Sequence, residues 1–111
     1  MAATNDISRR TWTEFLTSYG RANSKRATRI GLYQKTGNVL NDYWIEDGLP
    51  LVGLDVDFGD DLPVVQIMLD GFTHVVRDVK SIRPIFSADG SEDGIDLVRE
   101  GGSTTILRFE N

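Results

Sequence analysis

The sequence predicts an α+β fold, in which one N-terminal helix packs on a strongly bent antiparallel sheet of six or seven strands, or on a partly closed barrel. Apolar residues recur at helical spacing only near the N-terminus, and the pattern then alternates with a period of two. Turn residues recur at intervals of roughly ten residues, which is typical of short strands joined by tight connections. Short connections favour antiparallel pairing. We expect the sheet to curl so that this small chain can bury one of its faces.

The helix is predicted over about residues 8–19. One apolar stripe at helical spacing is formed by Trp12, Phe15, Leu16 and Tyr19. Ser8 is a candidate N-cap, because its hydroxyl can accept a hydrogen bond from a free amide of the first turn. Gly20 is expected to end the helix in a left-handed conformation. This aromatic face has to be buried, and we therefore expect the helix to pack on the sheet.

The strands are predicted between about residues 27 and 109. Eight alternating segments are candidates for the six or seven strands: 27–34, 39–45, 52–58, 64–69, 72–79, 81–86, 95–99 and 103–109, of which 39–45 is the weakest. Glu46-Asp47-Gly48 predicts a turn. Asp70-Gly71 and Gly101-Gly102 predict hairpins, and Asp-Gly is typical of a type I′ turn, in which both central residues have positive φ. Pro84 has no amide donor, which indicates an edge strand or a bulge.

Length and composition limit the classes of function. The 111 residues suit one domain spanning 1–111. The chain has no cysteine, which excludes disulfides, thiolate catalysis and cysteine-based metal centres. A net charge of -5 argues against nucleic-acid binding, and neither a membrane span nor a signal peptide is evident. We expect a cytoplasmic protein without cofactor, metal, nucleic acid or membrane contact.

The charge is separated along the chain. Residues 1–37 hold seven Lys+Arg against two Asp+Glu, a net charge of +5, and residues 38–111 hold five against fifteen, a net charge of -10. The basic residues near the helix form a collar consisting of Arg9, Arg10, Arg21, Lys25, Arg26 and Arg29. This collar could meet the acidic stretch of a second copy, or it could face the acidic sheet of its own chain.

The acidic segment 55–61 is one candidate binding site. Asp55 and Asp57 are expected on the same face of a strand, and Asp60 follows in the turn. Such carboxylates can bind a hard cation, but the segment lacks the closing Glu of a calcium loop. The alternative is a solvated strand face followed by a charged turn.

The single histidine, His74, is predicted on a strand, where it shares a face with Phe72 and Val76. As a general base it would need a nucleophile or a positioned water nearby. No serine of the chain has the sequence context of a nucleophile elbow, and no phosphate-binding glycine motif occurs. We therefore expect no catalytic residue, and His74 stays a candidate for ligand binding.

Four blocks of the chain, taken in order, carry a resemblance to a known family. The blocks are Trp12–Leu16, Leu49–Asp57, Thr73-His74 and Gly102–Phe109. They resemble a family of small uncharacterised bacterial proteins with an N-terminal Trp-containing helix, a central Leu-Pro-Leu-x-Gly segment and a C-terminal Thr-Thr-Leu-Leu-Arg-Phe strand. The resemblance implies a stand-alone bacterial domain of unknown function and brings no activity. The matching polar positions are Asp55, Asp57, His74, Thr105 and Arg108.

The leading hypothesis is a non-enzymatic interaction or assembly domain that self-associates as a homodimer or binds another protein, because the chain has more aromatic side chains than a small sheet covers. The alternatives are a small-ligand or divalent-cation-binding domain using residues 55–61, an enzyme using His74 with a carboxylate, and an acidic mimic of nucleic acid. The candidate ligand-binding or partner-binding residues are Asp55, Asp57, Asp60, His74, Trp44 and Arg108.

Overall fold

The computed structural model describes residues 6–36, 39–59 and 62–110. Within them, a short 3-10 turn at Arg9–Thr11 precedes one α-helix and seven strands. The elements are α1 (Trp12–Ala22), β1 (Ala27–Thr36), β2 (Val39–Asp57), β3 (Val64–Leu69), β4 (Phe72–Val76), β5 (Val79–Phe86), β6 (Glu92–Arg99) and β7 (Ser103–Phe109). The predicted α+β fold is confirmed: the N-terminal helix packs on a seven-stranded antiparallel sheet that curls into a half-barrel.

The strands lie in the order β4-β3-β2-β1-β7-β6-β5, and all neighbouring pairs are antiparallel. The long strand β2 joins the two parts of the sheet. Its residues Val39–Pro50 pair with β1, and its residues Leu51–Asp57 pair with β3. The first and last strands of the chain, β1 and β7, are neighbours in the centre of the sheet, which leaves β4 and β5 at its edges.

The predicted turn at Glu46-Asp47-Gly48 is wrong, because β2 runs through it and unites two predicted strands. Two β-bulges replace the turn. Ile30 and Gly31 of β1 pair with Glu46 and Trp44, so Ile45 is an extra residue in β2. Gly48 is the second extra residue, and its φ of 99° suits glycine. Each bulge increases the local twist, which allows one long strand to follow the curvature of the sheet.

The helix packs on the inner face of the sheet, as its apolar stripe predicts. Trp12, Leu16 and Tyr19 are buried in the same core as the inward residues of the strands. Ser8 is the N-cap residue of the 3-10 turn, as predicted, but its side chain forms no capping hydrogen bond. Instead the Ser8 carbonyl accepts the Thr11 amide at 2.9 Å. No helix within the described ranges is long and apolar enough to cross a membrane.

The prediction that the helix ends at Gly20 is also wrong, since α1 continues to Ala22. Gly20 is buried where the helix meets β2. A Cβ atom added to it would lie 3.0 Å from the Leu54 amide nitrogen and 3.4 Å from the Gly53 Cα. The missing side chain therefore allows the helix to approach the backbone of β2.

The turn residues outside β2 are close to their predicted places. Asp70-Gly71 connects β3 to β4, but only Gly71, with a φ of 86°, has positive φ, so the turn is not type I′. Gly101-Gly102 connects β6 to β7 as predicted. Pro84 lies on β5, which is an edge strand, so the edge prediction is confirmed. The strand predicted over 72–79 ends earlier, at Val76.

The close approach of the helix to β2 yields a prediction for Gly20→Val. The added side chain has to displace the β2 backbone, so we expect the free energy of unfolding to fall by about 1–3 kcal/mol. Ser18→Val, at an exposed position of the same helix, is the matched control. Urea unfolding followed by circular dichroism measures both variants. Equal stability of the two would contradict the tight contact at Gly20.

Candidate functional site

The candidate site is a groove on the outer face of the sheet, which α1 does not cover. In β7 every second residue from Ser103 to Phe109 is buried, so the intervening Ile106 and Arg108 point to the outer face. The register of β1 against β7 places Arg29 opposite Arg108 and Gly31 opposite Ile106.

Trp44 forms one wall of the groove. Trp44 lies in β2, where it pairs with Gly31 of β1, and its side chain is 48% exposed. The Arg29 guanidinium carbon lies 5.2 Å from the centroid of its ring, a cation–π contact. We call this feature the Trp44 groove. It has a volume of about 550 Å³ and is lined by Arg29, Trp44, Asp93, Ile106, Arg108, Phe109 and Glu110.

Both arginines of the Trp44 groove are paired with carboxylates. Arg29 Nε lies 3.1 Å from Asp47 Oδ1 and 3.9 Å from Glu110 Oε1, and Arg108 Nη2 lies 2.8 Å from Asp96 Oδ1. These acids offset the repulsion between two arginines on adjacent strands. Because the pairs are partly exposed, each contributes only ~0–1 kcal/mol to stability. Their main effect is to fix the two guanidinium groups in place.

Two acids compete for the same guanidinium group of Arg29. A hydrogen bond from the Glu110 side chain to Asp47 raises the pKa of Glu110, and partial desolvation and the negative charge of Asp47 act in the same direction. The positive charge of Arg29 opposes this rise in pKa. The groove thus carries positive charge, negative charge and an aromatic ring within one patch.

The acidic candidates lie elsewhere on the sheet. Asp55 and Asp57 are exposed and share the outer face of β2, as alternation predicts. Asp55 Oδ1 accepts the Val56 amide at 2.9 Å, and Asp57 Oδ1 accepts the Gly59 amide at 3.0 Å. Asp60 lies outside the described residues. Within the described ranges, no group of three or more His, Asp or Glu side chains could hold a metal ion.

His74 points to the inner face of the sheet, opposite to Asp55 and Asp57. It lies across from Ile67 of β3, which in turn lies across from buried Leu54 of β2. Burial lowers the pKa of His74, and the positive charge of Arg99 lowers it further.

The ring of His74 and the carboxylates of Asp55 and Asp57 therefore lie on opposite sides of the sheet. The ring of His74 stacks near Phe72, with 6.3 Å between the ring centroids. In the part of the chain that the structure describes, no hydrogen bond or ion pair joins His74 to a carboxylate. The pairing that an acid–base mechanism requires is therefore not seen among these residues.

The structure brings together two of the predicted candidates, Trp44 and Arg108, which both line the groove. Three other residues of the site, Arg29, Asp47 and Glu110, are not among the candidates that the sequence predicts. Arg29 was assigned to the basic collar, Asp47 to a turn, and Glu110 to no site. The alternation of polar and apolar residues in β1 and β7 indicates which side chains point outward, but it does not indicate that the two strands are neighbours.

Comparison with protein-family models, with curated proteins and with solved structures finds no match to this chain. The resemblance to small uncharacterised bacterial proteins therefore stays a prediction. Function has to be argued from the geometry of the described residues.

The environment of His74 gives the second prediction. The pKa of His74 lies below its ordinary value of about 6.5 in the folded chain, so the unfolded chain binds more protons between the two values. The free energy of unfolding should therefore fall as the pH drops through about 6.5 towards the folded pKa. His74→Gln should lack this part of the loss. Urea unfolding from roughly pH 8 to pH 5 tests it, and parallel curves for the two proteins would contradict the assignment.

Proposed function

We propose that this chain is a non-enzymatic interaction domain that forms a homodimer through the outer face of the sheet around the Trp44 groove. The observation that carries the proposal is the exposure of two large aromatic side chains on this face: Trp44 is 48% exposed and Tyr33 is 39% exposed. Soluble monomers rarely leave aromatic side chains grouped on one surface. Trp, Tyr and Arg are the residue types enriched at the centres of interfaces.

A second copy of the chain is the occupant that the groove fits best. In a twofold interface the same patch has to be complementary to itself. Here Arg29 and Arg108 lie beside Asp47, Asp96 and Glu110. A twofold rotation can therefore bring the arginines of one copy to the acids of the other, with the aromatic rings between them.

The charge of the whole chain favours the same kind of contact. At a net charge of -5, two copies repel each other at long range. A stable dimer then needs a contact that is apolar at its centre and has its charges already compensated at its rim. The arginine–carboxylate pairs of the groove meet this requirement, because each guanidinium group approaches the interface with its counter-ion in place.

No specific observation favours a second function. A cation-binding domain would draw on Asp55 and Asp57, which form only local backbone hydrogen bonds within the described residues. An enzyme would draw on His74, whose ring contacts Phe72 and is not bonded to a carboxylate in the described part of the chain. Both ideas stay alternatives.

The third prediction concerns Trp44→Ala. We expect the native protein to sediment as a dimer of the 12.4 kDa chain. Truncating a central aromatic anchor costs at least about 2 kcal/mol, which weakens dimerisation roughly thirtyfold. Sedimentation equilibrium over a range of concentrations measures the dissociation constants of both proteins.

Phe86→Ala is the matched control, because Phe86 is also a large exposed side chain, at 53%, and does not line the groove. It should leave the dissociation constant unchanged. A native protein that stays monomeric at all concentrations would overturn the proposal. Equal weakening by the two variants would show that exposed aromatics in general, and not the groove, drive association.

A further inference from the structure

The two edge strands of the sheet differ in their protection against pairing with other chains. Along β5, the Ile7 amide donates to the Ile82 carbonyl at 2.8 Å, and Arg83 Nε lies 2.7 Å from Asp6 Oδ1. Pro84 removes one amide donor from the same strand. Charged side chains, proline and a covering segment are the devices by which proteins block exposed edges. The β5 edge has all three.

The β4 strand itself has none of these devices among the described residues. Its residues Phe72–Val76 include no charged side chain and no proline, and β4 pairs with β3 alone among the described strands. Arg99 of β6 lies beyond the end of the strand, where its Nε donates to the Arg77 carbonyl at 2.8 Å. The two-residue loop makes Leu69 and Phe72 a hydrogen-bonded pair, and such pairs alternate along an antiparallel ladder. The backbone N–H and C=O groups of Thr73 and Val75 therefore point away from β3.

The two residues that carry these backbone groups are exposed. Thr73 is exposed, and Val75 is 40% exposed. Within the described residues, no backbone hydrogen bond outside the β3–β4 pairing involves any residue of β4. The strand thus presents a free, uncharged edge of the kind that accepts a further strand.

We propose that β4 is a second self-association surface, on which β4 of another copy pairs antiparallel about a twofold axis at His74. In this register Phe72 faces the second copy's Val76, and Thr73 faces the second copy's Val75. Aromatic and β-branched side chains are favourable cross-strand partners. The outward backbone groups of Thr73 and Val75 then form four hydrogen bonds across the axis.

A second copy suits this edge because the strand is complementary to itself. At neutral pH the five residues of β4 carry no formal charge, which matters for a chain of net charge -5. The other strands that could offer an edge carry charges, such as Lys80 and Arg83 on β5. A foreign extended peptide could form the same backbone hydrogen bonds, but nothing in the strand selects one.

This inference goes beyond the proposed homodimer and does not depend on it. The Trp44 groove lies on the outer face of β2, β1 and β7, whereas β4 is the far edge of the sheet. At protein concentrations that populate both twofold surfaces, the dimer assembles further, either into a closed tetramer or into an open array.

Because the chain has no cysteine, a single His74→Cys substitution reports on this pairing directly. Across the axis residue 74 would form a non-hydrogen-bonded pair, whose Cα atoms lie about 4.5 Å apart. That separation is within the range of about 4.4–6.8 Å that a disulfide spans. We expect mild oxidation to convert His74→Cys into covalent dimers, and to do so equally when Trp44→Ala is added.

Thr73→Cys is the matched control. Its two copies would lie on a diagonal of roughly 7–8 Å, too far for a disulfide, although Thr73 is the more exposed of the two positions. Cross-linking of Thr73→Cys as fast as His74→Cys would indicate random collision and would overturn the proposal. If His74→Cys does not fold, a mixture of Thr73→Cys and Val75→Cys should link where neither does alone. An uncross-linked mixture would also overturn the proposal.

Discussion

The packing of α1 against the inner face of β2 is the interaction on which the rest of the structure depends. Three large side chains of the helix, Trp12, Leu16 and Tyr19, enter the core, and Gly20 allows the helix backbone to come close to β2. One helix can cover only one face of a sheet, so the strands curl around it to bury their inner residues. The outer face receives no cover from α1, and the exposure of Trp44 follows from the same constraint.

The bulges of β2 turn this uncovered face into an organised site. In a regular strand, residues 44 and 47 would point to opposite faces, because side chains alternate. The extra residue Ile45 shifts the alternation of side chains by one position, so that Trp44 and Asp47 both point outward beside Arg29. The Trp44 groove therefore depends on a local irregularity of the backbone, in keeping with the tendency of bulges to re-aim side chains at functional positions.

Local features of the fold could be predicted from the sequence, because each depends on residues close together in the chain. The helical stripe, the turns at residues 70–71 and 101–102, and the edge position of Pro84 are of this kind. Gly20 was misread because a glycine at a helix end and a glycine at a close contact look alike in sequence.

The candidate site was largely hidden in the sequence because its geometry comes from the pairing of distant strands. Trp44 could be selected as part of the aromatic excess, and Arg108 was selected only because it is a polar position in the blocks that carry the family resemblance. Their neighbour Arg29 becomes visible only when β1 is known to lie between β2 and β7. Alternation did predict that Asp55 shares a face with Asp57, and that His74 shares a face with Phe72 and Val76. It did not predict that these two faces lie on opposite sides of the sheet.

The fold also changes the meaning of the charge separation between the two parts of the chain. The basic collar does not act as one surface: Arg29 is paired in the Trp44 groove, and Arg26 lies 4.2 Å from the Phe109 ring and donates to the Glu92 carbonyl. Because β1 pairs with acidic β2, and Arg29 of β1 pairs with Asp47 of β2, part of the separation is neutralised within the monomer. In the proposed assembly, charge then influences mainly the rate of encounter between copies, whereas the strength of association comes from aromatic contact on the outer face and from backbone pairing at β4.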